Sequence, residues 1–288
     1  MVPHLIAHGL VLLLLGVGLL VACRRRPRAA RGVALGALVV GVPLQLALLR
    51  WPYVLALSGW ADVVLWSELW VHLALVLGLS GTLAQPAGGA RTRTGVLGAA
   101  LLTVAALATT WPPLTPPALG PGRVDPQGVV RQTAGSSCAA AAAATLLRRL
   151  GVDPQASERT LAARCLTDPR RGTRDLGLYR GLRRSAPGRT VRFAHPDLAG
   201  LRALARPCLV FVGLRPGCTP DPHLYSLLRD RCGWSEGELH AVVFRGFAPG
   251  GRGEEPEVAL IDDPRCGFER WGRSHFAALY AGRALLLE

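Results

Sequence analysis

Cys138 stands at the head of an alanine run, in RQTAGSSCAAAAAATLLRRLGV from Arg131 to Val152. Ser136 and Ser137 precede the run and Gly151 follows it, so the spacing predicts a helix that one serine caps and the glycine stops. In the first turn of such a helix, free N–H groups and the positive dipole end favour a thiolate, lowering a cysteine from its usual value of about 8.5. A thiolate nucleophile also needs a base, a group to orient that base and a donor for the oxyanion. Four histidines are available after residue 126: His195, His223, His240 and His275. His240 opens HAVVFRGF, a β-branched and aromatic run that reads as a strand. A second strand, EVALIDD, ends on Asp262 and Asp263, and the turn-rich GFAPGGRGEEP between the two predicts a hairpin. That hairpin returns Asp262 or Asp263 beside His240, and because successive strand residues face opposite ways, one of the two orients the imidazole. Gln132, six residues before Cys138, carries an amide that can donate to an oxyanion beside the Cys138 N–H.

The elements that carry these residues occupy the second part of a chain of 288 residues. Residues 1–112 hold nearly all the long apolar runs and read as a transmembrane helical region. Its spans are expected at 5–23, 32–49, 59–83 and 95–111, each near the ~20 residues that cross a bilayer. The first span is read as retained rather than cleaved, because its arginines follow its apolar core. The RRRPRAAR loop carries five arginines and the GGARTRTG loop two, which places both inside the cell. Four spans then bring the chain out again near Trp111, so the domain that follows is expected to be extracytoplasmic. In the third span Asp62, Glu68 and His72 are polar groups in an apolar setting. Glu68 and His72 share a helix face; they read as interhelical hydrogen-bonding groups, with a two-ligand metal contact as the alternative. Trp60, Trp66 and Trp70 read as interface and packing residues. A Pro/Gly-rich linker is expected over 113–125 and a soluble domain over 126–288.

Composition narrows the chemistry further. The chain has no lysine, so its 33 basic residues are all arginine; this excludes a Walker phosphate loop, a pyridoxal Schiff base and a Ser-Lys dyad within the chain. The net charge is +14, but the arginines are scattered, and no basic helix interleaved with aromatics suggests nucleic acid. A basic face toward anionic lipid is the expectation instead. Cys23 lies at a membrane edge. With Cys138 set aside, Cys165, Cys208, Cys218, Cys232 and Cys266 leave an odd number in the second domain. Cys218 and Cys232 bracket a long excursion and are candidates for a disulfide, although pairing does not follow from sequence. Cys266 is placed to border the cleft near Asp263. A zinc site lacks its C-x-x-C spacing, and neither cofactor nor metal is expected.

The order Gln132, Cys138, His240, Asp263-Pro264 resembles the C39 peptidases, papain-like cysteine proteases known for removing double-glycine leaders. The resemblance covers about residues 126–288. It rests on the glutamine six residues before the cysteine, the apolar strand RPCLVFVGL, the HAVVF strand, the Asp-Pro turn with Gly267, and the closing HFAALYAGRALLLE. It implies an α+β papain-like domain in which the helix bearing the nucleophile packs on an antiparallel sheet. It assigns Cys138 as nucleophile, His240 as base, Asp263 as orienter with Asp262 as fallback, and Gln132 as oxyanion donor. The chain departs from that family in having no ATP-driven exporter, in its expected sidedness, and in the long excursion 215–239. The expected function is a membrane-anchored cysteine peptidase of the bacterial inner membrane, acting on exported peptides or proteins beside a separate export system. The alternatives are a non-catalytic peptide-binding membrane module and a Cys-dependent acyl-transfer enzyme.

Overall fold

The computed structural model describes residues 119–120, 122–168, 170–215 and 225–288, all within one unit that runs from Pro112 to Glu288. The four expected spans, with Asp62, Glu68, His72 and their tryptophans, lie outside these residues, as do Cys218 and His223. Among the described residues no helix is long and apolar enough to cross a membrane.

The fold is α+β. A short antiparallel pair, β1 (Arg123–Val124) and β2 (Val130–Arg131), leads into helix α1 (Cys138–Arg149), then α2 (Glu158–Cys165) and α3 (Asp175–Ser185). The end of the stretch expected as linker is therefore paired backbone rather than free spacer. A six-stranded antiparallel sheet follows, built from β3 (Val191–Ala194), β4 (Cys208–Gly213), β5 (Leu239–Pro249), β6 (Glu257–Asp263), β7 (Gly267–Gly272) and β8 (Tyr280–Leu287). Its spatial order is β3-β8-β4-β5-β6-β7. Helix α4 (Leu198–Ala203) joins β3 to β4, and α5 (Arg273–Leu279) joins β7 to β8.

Helix α1 is enclosed by α2, α3 and strands β4, β5 and β6. Ala139 through Ala144, with Leu146 and Leu147, are all buried, and a helix covered on every side must be apolar all round. Alanine suits that place because it has the highest helix propensity and lets neighbours approach closely. Thr145 is the polar exception: its hydroxyl donates to the Ala141 carbonyl (3.0 Å) and accepts the Val130 N–H (2.9 Å). That bond fastens β2, the strand that runs into Gln132, to the helix that starts at Cys138.

The strand expected at His240 is β5, and the hairpin with β6 is present. Val243 pairs with Asp262, so one step on, Asp263 lies on the same sheet face as His240 and diagonal to it. Val242, Phe244, Ala259, Ile261, Trp271 and Phe276 form the core on that face. Asp262 faces the other way and is bound to Arg149 of α1 (2.8 Å).

Candidate active site

The site gathers the start of α1, the start of β5 and the end of β6. Cys138 is the first residue of α1. The serine cap expected there does not form: Ser137 precedes the helix, but its hydroxyl donates back to the Ala134 carbonyl (2.8 Å) and makes no cap bond. The free N–H groups of the first turn are therefore not capped by this side chain, and no acidic residue lies among them.

His240 is buried at the head of β5. Its Nε2 donates to Asp263 Oδ1 at 2.9 Å, which leaves Nδ1 as the ring nitrogen for the Cys138 sulfur, to which His240 is hydrogen-bonded. Asp263 Oδ1 also accepts the backbone N–H groups of Arg265 (2.6 Å) and Cys266 (3.3 Å). Asp263 is wholly buried, and its Oδ2 has no partner among the described residues. Asp262 takes no part, because Arg149 and Arg245 hold it on the far face. Of the two carboxylates that sequence left open, the register brings Asp263 to the imidazole.

The charges in this line favour an ion pair. Burial pushes the Cys138 thiol up, but the His240 charge and hydrogen bond, the Ala241 N–H and the Arg265 guanidinium together hold it below its ordinary value. Burial alone would lower His240; the Asp263 carboxylate and the Cys138 thiolate instead carry it up to about 10. Asp263, penalised by burial, is held down by His240 and by its two backbone donors. The arrangement favours a thiolate–imidazolium pair braced by a carboxylate, the form in which a cysteine attacks acyl carbon.

The Gln132 side chain binds its own loop. Its Nε2 donates to the Ala134 carbonyl (2.7 Å), with a longer contact to Gly135 (3.4 Å), and its Oε1 is buried without a partner among the described residues. The Gln132 N–H donates to the Pro264 carbonyl at 3.0 Å, tying the nucleophile loop to the Asp263 turn. His195 and His275 are elsewhere: His195 Nδ1 lies 3.3 Å from the Gly282 carbonyl, and His275 is in α5.

Cys138 and His240 open onto a cleft of about 650 Å³. Gly135 and Ser136 line one side, Trp234, Gly237 and Leu239 another, and the turn Arg170–Thr173 forms part of the rim. Sequence reading missed three contributors. Trp234 packs its ring 4.7 Å from the His240 ring. Arg265 bridges loops, donating from Nη2 to the Gly135 carbonyl (3.1 Å) and from Nη1 to the Cys232 carbonyl (3.3 Å). Glu269, whose Oε2 accepts from Trp271 Nε1 (2.9 Å), is pushed up to about 7 by burial and by Asp263. Only the position of Arg265, two residues past Asp263, was a signal available beforehand.

The cysteines pair differently from the bracket expected at Cys218 and Cys232: Cys232 is joined to Cys266. The excursion is thus bound to the Asp263 turn, which adjoins it in space. Cys165 and Cys208 are buried free thiols, each pushed up to about 12 by that burial. Among the described residues, one cluster offers metal-ligand atoms: Cys232, Cys266 and Glu269, within 4.8 Å of one another. Its two sulfurs are engaged in the disulfide.

No protein-family model matches the sequence, and no curated protein matches it. Among solved structures the chain is similar to the peptidase domain of Streptococcus ComA, a bi-functional ABC transporter involved in a quorum-sensing pathway. That likeness has 20% identity and a TM-score of 0.39, covering 55% of this chain and 95% of that one. It is also similar to a double glycine motif protease from an AMS/PCAT transporter in complex with the leader peptide, at 20% identity and TM-score 0.38, covering 59% and 95%. The peptidase domain of Streptococcus mutans ComA gives 18% identity and TM-score 0.33, covering 56% and 98%.

Proposed function

We propose that this chain is a membrane-anchored cysteine peptidase that hydrolyses peptide bonds of exported peptides or proteins through a Cys138 thioester. The observation that carries the reading is the Asp263–His240–Cys138 line, in which a buried carboxylate binds the imidazole at 2.9 Å and the imidazole binds the sulfur. The Cys138 thiolate attacks the carbonyl carbon of the scissile bond. The oxyanion draws on the N–H of Cys138 and on the Gln132 amide, whose second hydrogen has only the long contact to Gly135. His240 donates its proton to the leaving amine, and the acyl group remains on sulfur. Water then attacks the thioester, His240 takes the water proton, and the carboxylic acid leaves as the thiolate re-forms.

The membrane spans read from residues 1–112 would hold this cleft near the bilayer, raising the local concentration of substrates that emerge there. Peptides with a double-glycine leader are one substrate class that the neighbouring structures suggest. The side of the membrane is the outer one, by the arginine balance of the loops.

The test compares secreted and membrane-bound peptides by mass spectrometry from cells carrying the full chain or its Cys138→Ala variant. Hydrolysis predicts fragments whose summed masses exceed the precursor by one water, present only with Cys138. An unchanged peptide pattern leaves the peptide-binding module, and fragments capped by an amine in place of water indicate acyl transfer.

A further inference from the structure

We propose that the Cys232–Cys266 disulfide is a positioning element of this active centre, so that thiol–disulfide exchange at the pair switches the peptidase between competent and impaired states. The proposal rests on the peptidase reading above and extends it to regulation.

The bridge spans a sequence separation of 34, and the loop that it closes contains both His240 and Asp263. At one end, the Cys266 N–H donates to Asp263 Oδ1 (3.3 Å), one of three bonds that fix the carboxylate oxygen facing His240. At the other end, Cys232 leads through Gly233 to Trp234, whose ring covers the His240 ring at 4.7 Å. The S–S bond therefore joins the segments on both flanks of the imidazole. Arg265 lies between them, donating to the Cys232 carbonyl and to Gly135 of the nucleophile loop. With the bridge closed, the excursion, the Asp263 turn and the nucleophile loop hold one arrangement. With it open, Trp234 is held by its own packing and by the Trp234 N–H bond to Leu228, and Asp263 loses the constraint on one of its backbone donors.

The exchange is balanced with a dithiol reductant. One of its thiolates attacks a bridge sulfur to form a mixed disulfide, and its second thiol displaces the protein sulfur. Cys232 and Cys266 leave as thiols, and the reductant leaves as a disulfide. The reverse reaction needs a disulfide-bearing oxidant, which is the condition of extracytoplasmic space. Cys165 and Cys208 are buried, so the pair can be reduced without engaging them.

The experiment measures the rate at which iodoacetamide alkylates Cys138 in the full chain as a function of pH, read site by site by peptide mass. Three forms are compared: the oxidised protein, the protein reduced with dithiothreitol, and the Cys232→Ser/Cys266→Ser variant. Near-ultraviolet circular dichroism monitors the fold. In the oxidised protein the rate rises through a depressed thiol pKa. Opening the bridge is expected to move that rise up by about one unit, slowing alkylation below it about tenfold, while the fold is kept. Coincident profiles in the oxidised and opened forms would overturn the proposal alone. Global loss of the dichroism signal on opening would overturn it too, since the bridge would then stabilise the whole domain rather than the site. A profile with no depressed rise in any form would remove the peptidase reading, and this proposal with it.

Discussion

Residues 138, 240 and 263 set a pH window. In the proposed mechanism, cleavage needs the Cys138 thiolate and a protonated His240. Below the depressed thiol value the sulfur gains a proton and the rate falls; as pH rises toward about 10 the imidazolium loses its proton and the leaving amine loses its acid. Activity is therefore expected to be bell-shaped, with its acid limb below the ordinary cysteine value and its alkaline limb near 10. Asp263→Asn keeps an acceptor for Nε2 but removes the charge that raises His240. The window is expected to narrow from both sides, the alkaline limb moving toward the free imidazole value of about 6.5. Asp262→Asn, which faces Arg149 and Arg245, should leave both limbs in place and reduce stability by about 1–3 kcal/mol through the weakened charged hydrogen bonds. Rate profiles and denaturant midpoints of the two variants check this; equal shifts of the limbs in both would refute the division of labour. Residue types and order were enough to find Cys138, His240 and an Asp-Asp pair. The residues alone left the two carboxylates open and the resemblance favoured Asp263; the Val243–Asp262 register supplies the physical reason, since a one-residue slip exchanges their faces.

The elements that hold these residues differ in how plainly they read. The apolar strands β4, β5 and β6 follow from β-branched runs, and the helix after Cys138 follows from its alanines. The way helices pack behind the site is less visible, because it depends on what a missing side chain permits. Gly177 and Gly181 share a face of α3 against the end of α2. A Cβ at Gly177 would meet the Cys165 carbonyl oxygen at 2.2 Å, and one at Gly181 would meet the Cys165 sulfur at 2.1 Å. Each glycine costs helix stability of about 0.5–1 kcal/mol relative to alanine, so close approach is what offsets that cost. Gly181→Ala is expected to destabilise the domain by about 1–3 kcal/mol through overpacking. Pairing it with Cys165→Ala removes the opposing sulfur and should recover most of the loss, whereas the same partner should not rescue Gly177→Ala, whose obstacle is backbone. Denaturant midpoints of the four variants test this. The packing also bears on function, since the turn between α2 and α3 carries Arg170–Thr173 to the cleft rim. Two details were beyond sequence for the same kind of reason. Ser137 bonds to Ala134 instead of capping, because a hydroxyl one residue before a helix has local carbonyls as rivals. Cys232 pairs with Cys266, because disulfide choice depends on which segments meet in space, here the residue after the helical turn Leu227–Arg231 and the turn between β6 and β7.

For the chain as a whole, sidedness links the arginine balance to the cysteine chemistry. The second domain carries 24 arginines against 16 acids after residue 125, which suits a domain beside anionic lipid but does not say on which side it lies. The proposed sidedness rests on the loops: with RRRPRAAR and GGARTRTG inside, four spans would place the domain outside. Each span inverts the side, so if 95–111 does not cross, the domain faces the cytoplasm. The Cys232–Cys266 bridge bears on the same question through different physics, because such bonds persist in oxidising space and are reduced in the cytosol. Both point to the proposed outer location, and one measurement tests it. Alkaline phosphatase joined after Glu288 by a flexible linker is expected to be active, since that reporter needs export to form its own disulfides, while a fluorescent protein that folds only in the cytoplasm should stay dark at the same position. Mass mapping of the same membranes, alkylated before lysis, should find Cys232 and Cys266 blocked and Cys138 labelled. A bright cytoplasmic reporter with Cys232 and Cys266 both alkylated would reverse the sidedness, reduce the span count to an odd number, and place the peptidase in its thiol-opened state within the cell.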